Sequence, residues 1–135
     1  MTKSAGALSH LRVLDLSRIL AGPWATQMLG DLGADIIKVE RPRSGDDTRG
    51  WGPPFADEMT GDAETDAAAR SAYFCSVNRN KRSLAIDITS DEGAAILREL
   101  VTECDVLVEN FKVGGLAKYG LDYGSVKQIN ARLVY

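Results

Sequence analysis

The sequence predicts an α/β fold: a mostly parallel sheet whose strands are joined by crossover helices. Four short apolar runs of the buried-strand type recur, at residues 12–16, 35–39, 84–88 and 105–109. Helical apolar periodicity fills the intervals after the first and third runs. Glycine, proline and polar clusters mark the changes between them. Strand–helix–strand, met twice, is the pattern of right-handed parallel crossovers.

Residues 1–10, MTKSAGALSH, read as a tail. Leu11, Val13, Leu14 and Leu16 make the first strand, and SRILAGP at 17–23 breaks it. Pro23 suits a first helical turn, where its missing N–H costs nothing. Ala25, Met28, Leu29 and Leu32 then recur as on one helix face, and Gly33 suits a left-handed C-cap. Ile36, Ile37 and Val39 form the second strand, ending at Glu40, Arg41 and Pro42. Residues 43–70 lack periodicity; the half with two aromatics, 45–55, reads as ordered, and 57–69 as a flexible excursion or a short helix.

SAYFCSV at 71–77 reads as a short strand or buried turn, and NRNKR at 78–82 gathers three cations ahead of the third strand. Thr89 and Glu92 have capping-box spacing before a helix over 90–103, whose Ala94, Leu97, Leu100 and Val101 share a face. CDVLVE at 104–109 is the fourth strand. A loop with Gly114 and Gly115 follows, then a helical turn ended by Gly120 and a helix capped by Asp122. Residues 132–135 begin a further strand, as expected for an N-terminal portion of a longer protein.

Parallel crossovers open both strand C-termini on one sheet edge, the usual ligand position. The loop at 18–23 and the turn at Glu40 and Arg41 therefore share a crevice. Arg41 there either serves an anion site near a helix N-terminus or pairs with Glu40 or Asp35 on the surface.

At 44% hydrophobic and 26% charged, the chain has the composition of an ordinary globular domain. A net charge of −3 gives no support to a nucleic-acid or membrane role. No apolar run is long enough to span a bilayer, and the first ten residues lack a secretory apolar segment, so a cytoplasmic protein is expected. Cys75, Cys104 and His10 are the only cysteines and histidine, too few for a structural zinc site. Both thiols are expected to be reduced and buried.

VLDLSRILAGPWATQMLGDLGADIIKVERP, followed by GDDTRGWGPPF, NRNKRSLAIDI and DVLVENFKVGGLAKYGL, resembles the N-terminal part of the class III CoA-transferases. That family includes formyl-CoA and carnitine CoA-transferases and, as relatives, the 2-methylacyl-CoA racemases. The motifs run in the family's order through nearly the whole chain.

The resemblance implies that 11–135 is the N-terminal part of a large, Rossmann-like CoA-binding α/β domain, truncated here. It implies an interlocked homodimer that moves CoA between carboxylic acids, with CoA or acyl-CoA as substrate and no permanently bound cofactor. It also implies an aspartyl acyl-enzyme whose nucleophile lies beyond Tyr135, so no catalytic residue is expected in this chain.

CoA contacts carry over to Leu20, Ala21 and Arg41, to the strand end Ile86, Asp87, Ile88 and Thr89, and to Asn110, Phe111 and Lys112. Lys118 stands where an arginine is common, which keeps the charge and loses the bidentate fork. Two alternatives stay open: a 2-methylacyl-CoA racemase of the same family, and a dinucleotide-binding module with Glu40 on a ribose. The first turn, SRILAGP, lacks the glycines of the latter.

Overall fold

The computed structural model describes residues 6–56 and 70–135; the expected excursion at 57–69 lies outside them. Four strands, β1 (Arg12–Asp15), β2 (Asp35–Glu40), β3 (Lys81–Ala85) and β4 (Val106–Val108), form one sheet in the order β3-β2-β1-β4. All pairings are parallel: Arg12 opposite Asp35, Ile36 opposite Lys81, and Val13 opposite Val106. Val134 bridges Val106 in parallel, the start of the further strand expected there.

Strand alternation sends side chains to two faces, and helices cover both. Leu14, Leu16, Ile37, Val39 and Leu107 pack with α3 (Asp91–Thr102) and α4 (Tyr123–Ile129) through Leu97, Val101 and Val126. Val13 and Ile36 form the opposite cluster, against Leu29 of α1 (Ala21–Asp31). Leu8 joins that cluster, and its N–H donates to the Leu32 carbonyl at 3.0 Å, so the described end of the expected tail is seated on the fold.

Helix α1 ends as its sequence predicts. Gly33 takes φ +107°, its N–H donates to the Gly30 carbonyl (2.9 Å), and the Ala34 N–H donates to the Leu29 carbonyl (3.0 Å). That is a Schellman closure. Of its apolar face, however, only Leu29 packs inward. Pro23, Thr26 and Gln27 are buried, while Trp24, Met28 and Leu32 are exposed. Polar Thr26 and Gln27 point inward because partners wait there: Asp15 for Thr26, and the Ser76 carbonyl and Arg79 N–H for Gln27.

Three expected elements are corrected. Residues 71–77 are not a strand but enter α2 (Ala72–Asn78), capped by the Ser71 hydroxyl, which accepts from the Phe74 N–H at 3.0 Å. Phe74 and Val77 then fall on one inward face, a helical spacing that the aromatic and β-branched composition concealed.

The third strand begins at Lys81 instead of Leu84, because its two cations have partners in Asp15 and Asp35. The cap of α3 is Ser90, not Thr89: the Ser90 hydroxyl accepts from the Gly93 N–H at 3.0 Å, and Thr89 donates to Asp87 instead. The thiols are both free, but only Cys104 is buried; Cys75 is exposed.

Candidate functional site

The strand order reverses between β1 and β4, and the loops leaving their C-terminal ends meet there. The Asn110 side chain holds the Arg18 backbone from both sides, accepting from its N–H at 2.9 Å and donating to its carbonyl at 2.8 Å. Beside this junction lies a crevice of about 390 Å³, open to solvent. Leu16, Val39, Ile86, Ile88 and Phe111 give it an apolar floor, and Arg18, Arg41, Glu40 and Asp46 line it as well.

The two arginines share one counter-ion. Arg18 reaches one oxygen of Asp47 at 2.9 Å and Arg41 reaches the other, all three side chains being more than a third exposed. Two guanidiniums about one carboxylate leave a net positive charge at the mouth. The Arg18 guanidinium also lies 5.7 Å from the Phe111 ring centre.

Under the crevice is a layer of buried charge. Lys38, 1% exposed, donates to the Ser17 carbonyl at 2.9 Å and pairs with Asp46 at 2.9 Å. Burial alone would raise the Asp46 carboxyl, but Lys38 and the Thr48 N–H and hydroxyl outweigh it and hold the group below its ordinary value.

Glu40 accepts from both arms of Arg49 at 2.6 and 2.7 Å, from Ser83 at 2.7 Å and from the Asp46 N–H at 2.9 Å. These donors likewise outweigh burial and lower it. Together they fold the turn before and through the 3₁₀ segment Asp47–Gly50 onto the end of β2.

On the α1 side, Asp15 accepts from Thr26 at 2.6 Å, from the Ser17 N–H at 3.0 Å and from Lys81 at 3.0 Å. Lys81 also donates to the Pro23 carbonyl (2.8 Å) and Asn78 (3.0 Å); burial pulls it down to about 8, with Asp15 opposing. Among the described residues no buried side-chain polar atom lacks a partner.

Of the residues proposed from sequence, the structure gathers Arg41, Ile86, Ile88 and Phe111 around the crevice. Leu20 and Ala21 stand at the start of α1, whose first turn has no side-chain cap. Asp87 is engaged in its own turn, accepting from the Thr89 N–H and hydroxyl at 2.9 and 2.6 Å, which lowers its carboxyl. Asn110 is spent on Arg18, and Lys112 is exposed on the same loop. Lys118 lies apart, over the Tyr119 ring at 4.7 Å. Sequence reading passed over Lys38 and Arg18. Lys38 left one signal: a cation inside a strand buried on both faces must have a partner.

A profile of CoA-transferase family III matches residues 8–135. The chain belongs to that family. It is 53% identical over 128 residues to succinate–glutarate CoA-transferase of Agrobacterium fabrum, covering 95% of this chain and 31% of that one. It is 48% identical to human succinyl-CoA:glutarate CoA-transferase, covering 95% and 27%. A crystal structure of a CAIB/BAIF family protein from Brucella suis superposes with a TM-score of 0.83 at 53% identity, over 94% of this chain and 32% of that one. The family III chain thus spans about a third of the length of these relatives.

Proposed function

We propose that the crevice is the CoA site of a family III CoA-transferase that moves CoA between small carboxylic acids. The observation that carries this reading is the pairing of Arg18 and Arg41 at the mouth with an apolar floor of Ile86, Ile88 and Phe111. CoA offers the matching chemistry: phosphates for the guanidiniums and helix N–H groups, adenine or pantetheine for the apolar floor. Glu40, fully engaged by Arg49, Ser83 and Asp46, has no acceptor left for a ribose, which speaks against a dinucleotide in this crevice.

In the proposed reaction an aspartate beyond this chain attacks the donor thioester, expelling CoA thiolate and forming a mixed anhydride. The thiolate attacks the aspartyl carbonyl and releases the donor acid. The acceptor carboxylate then repeats the exchange in reverse order. Residues of the present chain hold the nucleotide end of CoA.

The names of the relatives point to dicarboxylic acids such as succinate and glutarate as substrates. A homodimer is proposed with it, and the exposed Trp24 and Met28 of α1, with Leu32 at its C-cap, supply apolar surface for a second copy.

Calorimetric titration with CoA and with NAD tests the site; binding of CoA but not NAD is expected, and the reverse would overturn it. Coupled assays with succinyl-CoA and a dicarboxylate panel test the reaction in the protein at its relatives' length. Absence of exchange across the panel would sink the transferase reading.

A further inference from the structure

We infer that Lys38 and Asp46 are positioning residues, a buried pair whose task is to lock the loop after β1 into a crevice-forming conformation it would not hold by itself. Ile19 sits at φ +72°, in the left-handed region that a β-branched residue avoids. Four successive backbone groups around it are held by side chains from elsewhere in the fold. The Ser17 carbonyl accepts from Lys38; the Arg18 N–H and carbonyl meet Asn110; the Ile19 N–H points between the Asp46 oxygens at 3.3 and 3.4 Å.

Strain of this kind persists only where the surroundings over-determine it. Lys38 and Asp46 are also bonded to each other, 2.9 Å apart and almost wholly buried, so each fixes the other's grip on the loop. The ion pair therefore joins β2 and the turn after it to the loop carrying Arg18. Released, Ile19 would return to negative φ and carry the neighbouring Arg18 and the start of α1 away from the crevice. The pair lies almost wholly buried at the base of the crevice, and its effect on binding passes through the loop. The inference rests on the CoA reading only for what the loop then does.

Two readouts separate the two claims. Amide hydrogen exchange of the segment 16–22, measured without ligand, reports the lock alone; the CoA dissociation constant reports its use. Asp46→Asn keeps an acceptor for Thr48 but weakens the Lys38 pair. Should that variant unfold, the Lys38→Met/Asp46→Leu double variant removes both charges while filling the space.

Exchange in 16–22 is expected to quicken at least tenfold while β1 and β2 amides keep their protection, with CoA affinity falling about tenfold. Adding Ile19→Gly to Asp46→Asn, which removes the steric penalty of positive φ, is expected to recover at least threefold of that affinity. A rise in exchange no greater in 16–22 than in the strands, or no recovery with glycine, would overturn the positioning role. The expected exchange pattern in the variant, together with no CoA binding by the wild-type protein, would overturn the CoA reading and leave the lock standing.

Discussion

Among single residues, the buried and the exposed cations of this chain differ sharply in what they hold. Lys81 neutralises Asp15 in a fully buried setting, so Lys81→Met leaves a carboxylate with only hydroxyl and backbone donors. A loss of about 3–5 kcal/mol in urea unfolding is expected, against under about 1 kcal/mol for Arg82→Ala on its exposed pair with Asp35. Arg41 is half exposed, so its removal should spare the fold and act on the ligand. Arg41→Ala is expected to weaken CoA-thioester binding by about 1.5–3 kcal/mol while leaving turnover at saturation less affected, because a phosphate contact far from the reacting carbonyl serves ground and transition states alike. Steady-state kinetics with KM unchanged and kcat collapsed would move Arg41 to another role. The place of Arg41 on the crevice was legible in the sequence because it follows a strand at the C-terminal edge of the sheet. Lys38 was not, since its partner Asp46 is brought to it by a turn with no periodicity to read.

The turn that closes over β2 is an element built from charge, and its stability should follow the charge state. Glu40 and Asp46 are both lowered in the folded protein, so the unfolded chain binds more protons than the folded one at acid pH. Their contribution is complete above the ordinary values of 4.5 and 3.8 and is lost as pH falls through the lower folded values. Urea midpoints measured from pH 7 down to 3 are expected to fall in that acid window, with a shallower fall in Glu40→Gln.

The start of α3 depends on shape instead: a Cβ on Gly93 would run into the Asp87 carbonyl. Gly93→Ala is expected to cost about 1–3 kcal/mol, read as a lowered urea midpoint. Strand runs and the Gly33 cap could be read from local pattern. Helix α2 could not, because its aromatic and β-branched composition reads as a strand, nor could the inward face of α1, where the partners of Thr26 and Gln27 decide which side is buried.

At the scale of the whole molecule, the described carboxylates near the crevice are all engaged. Asp15, Glu40 and Asp46 near the crevice are consumed by cations and N–H groups, and Asp47 holds two arginines. None is left poised as a nucleophile. The 135-residue chain assayed alone is therefore expected to show no acyl transfer from succinyl-CoA, whatever its affinity for CoA. Transfer abolished by a single change at Asp46, Asp47 or Asp87 would contradict that. The parallel sheet and the edge that carries the crevice followed from two strand–helix–strand patterns. The reversal of order between β1 and β4 could not be read in the same way, since it rests on contacts between segments remote in sequence.

That remoteness has a kinetic consequence. With every pairing of the four-stranded sheet parallel, none of its strands can find its neighbour by a hairpin. Arg12 meets Asp35 across 23 residues, and its N–H meets the Asp105 carboxylate across 93. Loop closure on that scale must be completed before the contacts it brings can stabilise anything, which puts refolding in the slow range for a chain of this size. Until β4 docks, one edge of β1 is bare, and the interval in which the chain can pair with another copy is set by the last strand to arrive.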